Sequence, residues 1–144
     1  MINFFSENNF QLKNDDAVIE WLSGLISSEG YSLGELSYVF CTDTYLHSIN
    51  LEFLNHDTFT DIITFDYSLG REVHGEIYIS TDRVAENAQD RKLDFFDELH
   101  RVMAHGALHL CGFKDKTKEE VTIMRRKEEE ALAARGVVNG LKNS

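Results

Sequence analysis

The stretch "HRVMAHGALHLCGFKDKT", residues 100–117, places two histidines four positions apart in an otherwise apolar run. An α-helix repeats about every 3.6 residues, so His105 and His109 lie on one face with both rings pointing the same way. Apolar residues occupy nearly every other side of the predicted helix, 95–111, which indicates that this helix is largely buried. Buried imidazoles need hydrogen-bonding partners, and a divalent metal ion that shares their lone pairs would serve both rings.

The residues that follow His109 complete a three-ligand pattern. Gly112 is expected to end the helix in the left-handed conformation, which turns the chain back so that Asp115 offers an oxygen. Two imidazole nitrogens and one carboxylate leave a tetrahedral zinc ion with an open position, as in catalytic rather than structural sites. The order His-x-x-x-His-x-x-Gly-x-x-Asp resembles the ligand spacing of metzincin enzymes in outline. The alternative is a pair of core histidines followed by a helix-capping glycine.

The same helix carries residues that do not fit a peptidase or a larger ligand set. Gly106 stands where His-Glu-x-x-His enzymes have their general base, so peptidase activity is disfavoured. Glu98 and His100 are too far from His105 along the helix axis to bind the same ion, and we expect them at the surface or its boundary. Cys111 is predicted to be a small core residue that faces away from His109. The remaining histidines are predicted surface or loop residues: His47, His56 and His74.

Hydrophobic periodicity predicts an α/β fold (α+β-like), in which helices pack around a small mixed sheet that carries the buried two-histidine helix. The predicted strands are 2–7, 35–42, 59–67 and 74–80, the last two being antiparallel neighbours. The predicted helices begin at cap-type residues: Asn14–Asp16, Asp43, Thr81 or Asp82, and Thr117 with Glu120 as a capping box. In the final helix, Val121, Met124 and Leu132 are expected to cover the core.

Composition sets limits on compartment and partners. The 144 residues, of which 42% are hydrophobic, suffice for a single domain, 1–144. Cys41 and Cys111 provide no disulfide framework, the N-terminus lacks the pattern of a signal peptide, and no apolar run approaches the ~18 residues of a membrane span. A cytoplasmic protein without a membrane partner is therefore expected. The oligomeric state is left open.

The charge is distributed unevenly along the chain. The net charge is −11, yet residues 101–127 contain seven basic and three acidic side chains. This basic segment, which includes the histidine motif, would attract a polyanion, although a solvated helix face of mixed charge gives the same count.

Three ordered motifs resemble one protein family. "HGALHLCGFKD" (105–115) is similar to the His-Gly-x-Leu-His-Leu-x-Gly signature of the YbeY family of bacterial metal-dependent endoribonucleases. "TDIITF" (60–65) and "HGEIYIS" (74–80) resemble two strands of that family, in the same order. The resemblance implies one zinc ion per chain, held by His105, His109 and Asp115, and hydrolysis of RNA phosphodiesters by metal-activated water or Lewis acidity. It also implies a single-stranded ribosomal RNA precursor as substrate, a ribosome or ribosomal protein as partner, and a role in ribosomal RNA maturation and ribosome quality control.

Two departures from the family pattern bear on mechanism. Lys114-Asp115 replaces the usual Asp-His, so the third ligand would be a carboxylate. Leu54 stands where the family usually has an arginine, and an aliphatic side chain cannot pair with a phosphate. Arg125, Arg126 and the lysine cluster 114–118 are candidate substitutes for substrate binding.

Thr60 and Asp61 are cleft candidates at the head of a strand, where a simple turn is the alternative. Two other functions remain open: a non-catalytic ribosome-associated zinc protein, and a metal-dependent hydrolase of another substrate class.

Overall fold

The computed structural model describes residues 1–138 and 141. The predicted single domain, 1–144, extends into residues that lie outside this part. The described elements follow the chain in this order: β1 (Ile2–Ser6), α1 (Asp15–Ser28), β2 (Ser32–Cys41), α2 (Asp43–Leu54), β3 (Ile62–Asp66), β4 (Glu72–Ser80), α3 (Thr81–Arg91), α4 (Phe95–Leu110), α5 (Lys118–Ala133) and a 3₁₀ turn (Ala134–Val137). Among the described helices, none combines the length and the apolar character needed to cross a membrane.

The four strands form one mixed sheet in the order β1-β2-β4-β3. Strand β2 runs parallel to both of its neighbours, whereas β3 is antiparallel to β4 and lies at the edge. The predicted small mixed sheet with surrounding helices, and the predicted antiparallel pairing of its third and fourth strands, are both confirmed.

Helices cover the two faces of the sheet unequally. Helices α1, α4 and α5 pack over the larger core, and α2 covers a smaller cluster on the opposite face. Two buried hydrogen bonds join the layers of the larger core: the Tyr38 hydroxyl donates to the Met103 carbonyl at 2.8 Å, and the Trp21 indole donates to the Ala131 carbonyl at 2.7 Å. The first fixes α4 to the sheet and the second fixes α5 to α1.

Helix starts agree with the sequence prediction in part. The Thr117 and Glu120 capping box of α5 is present, with both reciprocal hydrogen bonds. At α2, the cap is Thr42 rather than the predicted Asp43, because the Thr42 hydroxyl accepts the bond from the Tyr45 backbone amide. At α1, Asn14 occupies the cap position in the left-handed conformation without a side-chain capping bond.

Three burial predictions are wrong. Glu98 and His100 were expected near the surface, but Glu98 is fully buried and His100 is 3% exposed. Helix α4 packs against α1, α3, α5 and the sheet, so these two polar positions face protein. Val121 was expected to cover the core but is exposed, whereas Met124 on the same helix is buried.

Candidate metal centre

Helix α4 presents His105 and His109 side by side at the surface of the larger core. Their ring centroids are 4.5 Å apart and their planes are nearly perpendicular, at 85°. The side chain of His105 is 16% exposed and that of His109 is 26% exposed. The one-turn spacing therefore brings the two rings together as predicted, with one side of the pair open to solvent.

The turn after α4 brings Asp115 to both histidines. Gly112 has φ +93°, a conformation that glycine adopts without steric cost, and it reverses the chain as expected. The Asp115 Oδ2 atom lies 3.2 Å from His105 Nε2 and 3.3 Å from His109 Nε2. One ligand atom from each of the three residues lies within 4.8 Å of the others, so the trio forms a cluster able to hold a metal ion.

The partners of the Nδ1 atoms determine which nitrogens face the cluster. His109 Nδ1 lies 2.9 Å from the Phe113 carbonyl, and His105 Nδ1 lies 2.6 Å from a Glu128 carboxylate oxygen. A carbonyl and an ionised carboxylate only accept hydrogen bonds, so each Nδ1 carries a proton, and the Nε2 atom on the Asp115 side of each ring is the one that can offer a lone pair to a metal ion. Two imidazole nitrogens and one carboxylate oxygen fit zinc or a similar divalent ion.

Close packing accounts for glycine at position 106. A Cβ atom at Gly106 would lie 2.9 Å from the Ile77 Cδ1 atom and 3.0 Å from the Ile62 Cδ1 atom. Both isoleucines belong to the sheet on which α4 packs, and Gly106 itself is buried. A larger side chain at this position, such as the glutamate that serves as general base in His-Glu-x-x-His peptidases, would have to displace both isoleucines.

The cluster lies in an open cleft of about 760 Å³ that runs along the edge strand β3. The Asp61 backbone carbonyl accepts from the Ser80 amide, and the Tyr67 amide donates to the His74 carbonyl. Every second residue from 61 to 67 therefore forms backbone hydrogen bonds to β4. The backbone groups of Thr64, between those bonded positions, therefore face the cleft. The other lining residues come from the end of α2, the loop before β3, β3 itself, α4 and the turn after it: Asn50, Leu54, His56, Thr58, Thr60, Asp61, Ile62, Ile63, Asp66, Arg101, Val102, His105, His109, Leu110, Asp115 and Lys116.

Two cations line this cleft, Arg101 and Lys116. Arg125 and Arg126 are exposed on α5 and are not among the lining residues, so their predicted role in substrate binding stays a prediction. Within the lysine cluster 114–118, only Lys116 lines the cleft. Leu54 does line it, so an aliphatic side chain occupies this part of the cleft wall.

Thr60 and Asp61 both lie in the cleft wall. The half-buried Asp61 carboxylate accepts a 3.4 Å hydrogen bond from the Asn87 amide. Burial raises the pKa of Asp61, and the nearby positive charge of Arg101 lowers it only in part. An acid with a raised pKa in a cleft is suited to hold a proton, although the functional role predicted for both residues remains a prediction.

Sequence reasoning missed the charged residues behind the histidines. Glu128 is 2% exposed and contacts both His105 and Arg101, and the Arg101 guanidinium also binds Glu98. Although burial raises the pKa of the Glu128 carboxyl, hydrogen bonds from His105 and Arg101 outweigh it and lower the pKa overall. A sequence signal did exist, because Glu128 falls four positions after the buried Met124, within the apolar stripe of α5.

Comparison with known proteins gives concordant results. The family model described as Endoribonuclease YbeY matches residues 3–136. A protein of Flavobacterium johnsoniae named Endoribonuclease YbeY is 53% identical over 133 residues, which cover 92% of this chain and 96% of the relative. A protein of the same name from Christiangramia forsetii is 55% identical, with 92% of each chain covered. A solution structure from Thermotoga maritima superposes with a TM-score of 0.65 at 27% identity, covering 100% of this chain and 97% of the other.

Proposed function

This chain belongs to the endoribonuclease YbeY family, and on that premise we propose that it is a zinc-dependent endoribonuclease that cleaves single-stranded RNA. The observation that carries the proposal is the convergence of His105, His109 and Asp115 within a cleft that also contains Arg101 and Lys116. Ligands for a divalent ion and a cation for a phosphodiester, Lys116, thus share one cavity.

The three clustered residues are the proposed metal ligands. His105 and His109 offer Nε2 lone pairs, and Asp115 offers a carboxylate oxygen. A bound divalent ion supplies Lewis acidity to a phosphoryl oxygen and lowers the pKa of coordinated water. Asp61, whose pKa burial raises, is the candidate to hold or release a proton at the leaving oxygen.

The cleft wall supplies contacts for an RNA backbone. Lys116 is an exposed cation beside Asp115, and no ion pair within 4.0 Å occupies its ammonium group among the described residues. It takes the phosphate-binding role that Leu54 cannot perform. The outward backbone groups of Thr64 offer a donor and an acceptor that do not depend on base identity, so recognition of an extended single strand is expected.

The biological setting follows from the family premise. We place the protein in the cytoplasm, acting on a ribosomal RNA precursor together with the ribosome or a ribosomal protein. The unpaired, buried thiols of Cys41 and Cys111 agree with a reducing compartment.

The decisive experiment combines metal analysis with RNA cleavage. Purified wild type should contain close to one zinc ion per chain and should cleave a structured ribosomal RNA fragment at single-stranded positions. Asp115→Ala should lose both properties while its circular dichroism spectrum is retained. The matched control is Asp90→Ala, which removes an exposed carboxylate on α3 that does not line the cleft.

One observation favours a second function, a zinc protein that associates with the ribosome without cleaving RNA. Leucine stands at position 54, where the family resemblance implies an arginine. This alternative predicts stoichiometric zinc in wild type with no RNA cleavage in any metal-loaded sample. The Leu54→Arg variant separates the two, because gain of cleavage would identify the missing arginine as the cause.

A further inference from the structure

The buried carboxylate of Glu128 joins α5 to the candidate metal centre. One of its oxygens lies 2.6 Å from His105 Nδ1, and the other accepts a 3.0 Å hydrogen bond from Arg101. The side chain is 3% exposed, so water cannot replace these partners. Both oxygens of the carboxylate are therefore held in position, and its orientation sets the orientation of the His105 ring.

Arg101 is in turn held by Glu98, one turn earlier on α4. The Arg101 Nε and Nη2 atoms donate to the two carboxylate oxygens of Glu98 at 3.0 and 2.6 Å, a bidentate pair. Glu98 is fully buried, and Arg91, at 3.8 Å, is the one other cation within 4.0 Å of it among the residues that the structure describes. A buried ion pair persists only with good geometry and complete hydrogen bonding, and this one places the Arg101 Nη1 atom against Glu128.

The two histidines differ in what holds them. The Phe113 carbonyl that accepts from His109 is neutral and belongs to the turn after α4, three residues beyond Leu110. The group that accepts from His105 is an anion on another helix, 23 residues away in sequence. An anionic acceptor makes the opposite nitrogen of an imidazole a better electron donor, so His105 and His109 are not equivalent as ligands.

We propose that Glu128 is a positioning residue of the metal centre, which fixes the ring and the tautomer of His105 and is itself kept in place by Arg101 and Glu98. The inference rests on the metal site proposed above. It makes metal affinity depend on the docking of α5 against α4, although α5 contributes no ligand to the cluster.

The first test compares Glu128→Gln with Glu129→Gln in the full chain. Glu129 is the same residue type at the next position, but it is exposed. Zinc affinity is measured by competition with a chromophoric chelator. Loss of an outer partner of this kind weakens metal binding by about 10- to 100-fold, and that loss is expected for Glu128→Gln alone. Equal affinities of wild type and Glu128→Gln would overturn the inference.

The second test needs no metal and no activity. Long-range ¹⁵N NMR of the metal-free wild type, in mildly alkaline solution where imidazole is neutral, should find the His105 proton on Nδ1. Glu128→Gln should shift His105 toward a mixture of tautomers and leave His109 unchanged. A wild-type His105 proton on Nε2 would overturn the inference, and this measurement decides the matter if Glu128→Gln does not fold. Failure of wild type to bind zinc at all would instead remove the proposed metal site together with this inference.

Discussion

Acidification should destabilise the protein through His100, a buried histidine outside the metal cluster. The Arg135 guanidinium donates a 2.8 Å hydrogen bond to His100 Nδ1, so this nitrogen accepts and the ring is neutral. The Trp21 ring lies 5.3 Å away, centroid to centroid. Burial, followed by the charge of Arg135, lowers the pKa of His100 to about 4, although Asp97 and Asp94 oppose the shift.

The sign and size of the effect follow from proton linkage. A histidine in the unfolded chain has a pKa of about 6.5. As the pH falls below this value, the unfolded chain binds a proton at His100 that the folded chain does not bind. The contribution of His100 to stability is therefore complete above that pKa and is lost as the pH falls toward about 4. Between about pH 7 and about pH 5 the expected loss is roughly 2 kcal/mol, and over the full interval it approaches about 3.4 kcal/mol.

Urea denaturation at a series of pH values measures this loss directly. A chelator in every sample keeps metal binding to His105 and His109 from adding to the signal. His100→Gln keeps a polar side chain but cannot take up a proton, so it should be less stable at neutral pH and should lack this part of the acid loss. His47→Gln is the control, since His47 lies on α2 outside the larger core. Identical acid losses in wild type and His100→Gln would refute the reasoning.

Three further predictions concern the cleft and the helix contacts. Lys116→Ala, made in an inactive His109→Ala protein, should weaken single-stranded RNA binding uniformly across sequences. It should also reduce the slope of log K against log salt concentration by about one, whereas Lys118→Ala in the same background should do neither. A fluorescence binding titration at several salt concentrations measures both effects. Thr117→Ala should cost about 1 kcal/mol of unfolding free energy through loss of the α5 capping box, measured by urea denaturation. Trp21→Phe leaves the Ala131 carbonyl without its indole donor and should cost about 1–3 kcal/mol in the same assay; an unchanged midpoint would contradict the role of this bond.

Much of the fold was predictable because its signals are local. Strand alternation and helix caps act within a few residues, so the elements and the antiparallel pairing of β3 with β4 could be predicted. The errors came where exposure depends on distant packing. Glu98 and His100 carry polar side chains that normally lie at the surface, yet the elements packed around α4 bury both, and each has a cationic partner: Arg101 for Glu98 and Arg135 for His100.

The sequence by itself determined the candidate metal cluster. His105, His109, Gly112 and Asp115 fall within eleven residues, and helix geometry followed by one left-handed turn is sufficient to bring their ligand atoms together. The tertiary structure alone decided what surrounds the cluster. Glu128 reaches His105 across 23 residues of sequence and Arg101 across 27, because α5 packs on α4, and no local pattern specifies which side chains meet at such a contact.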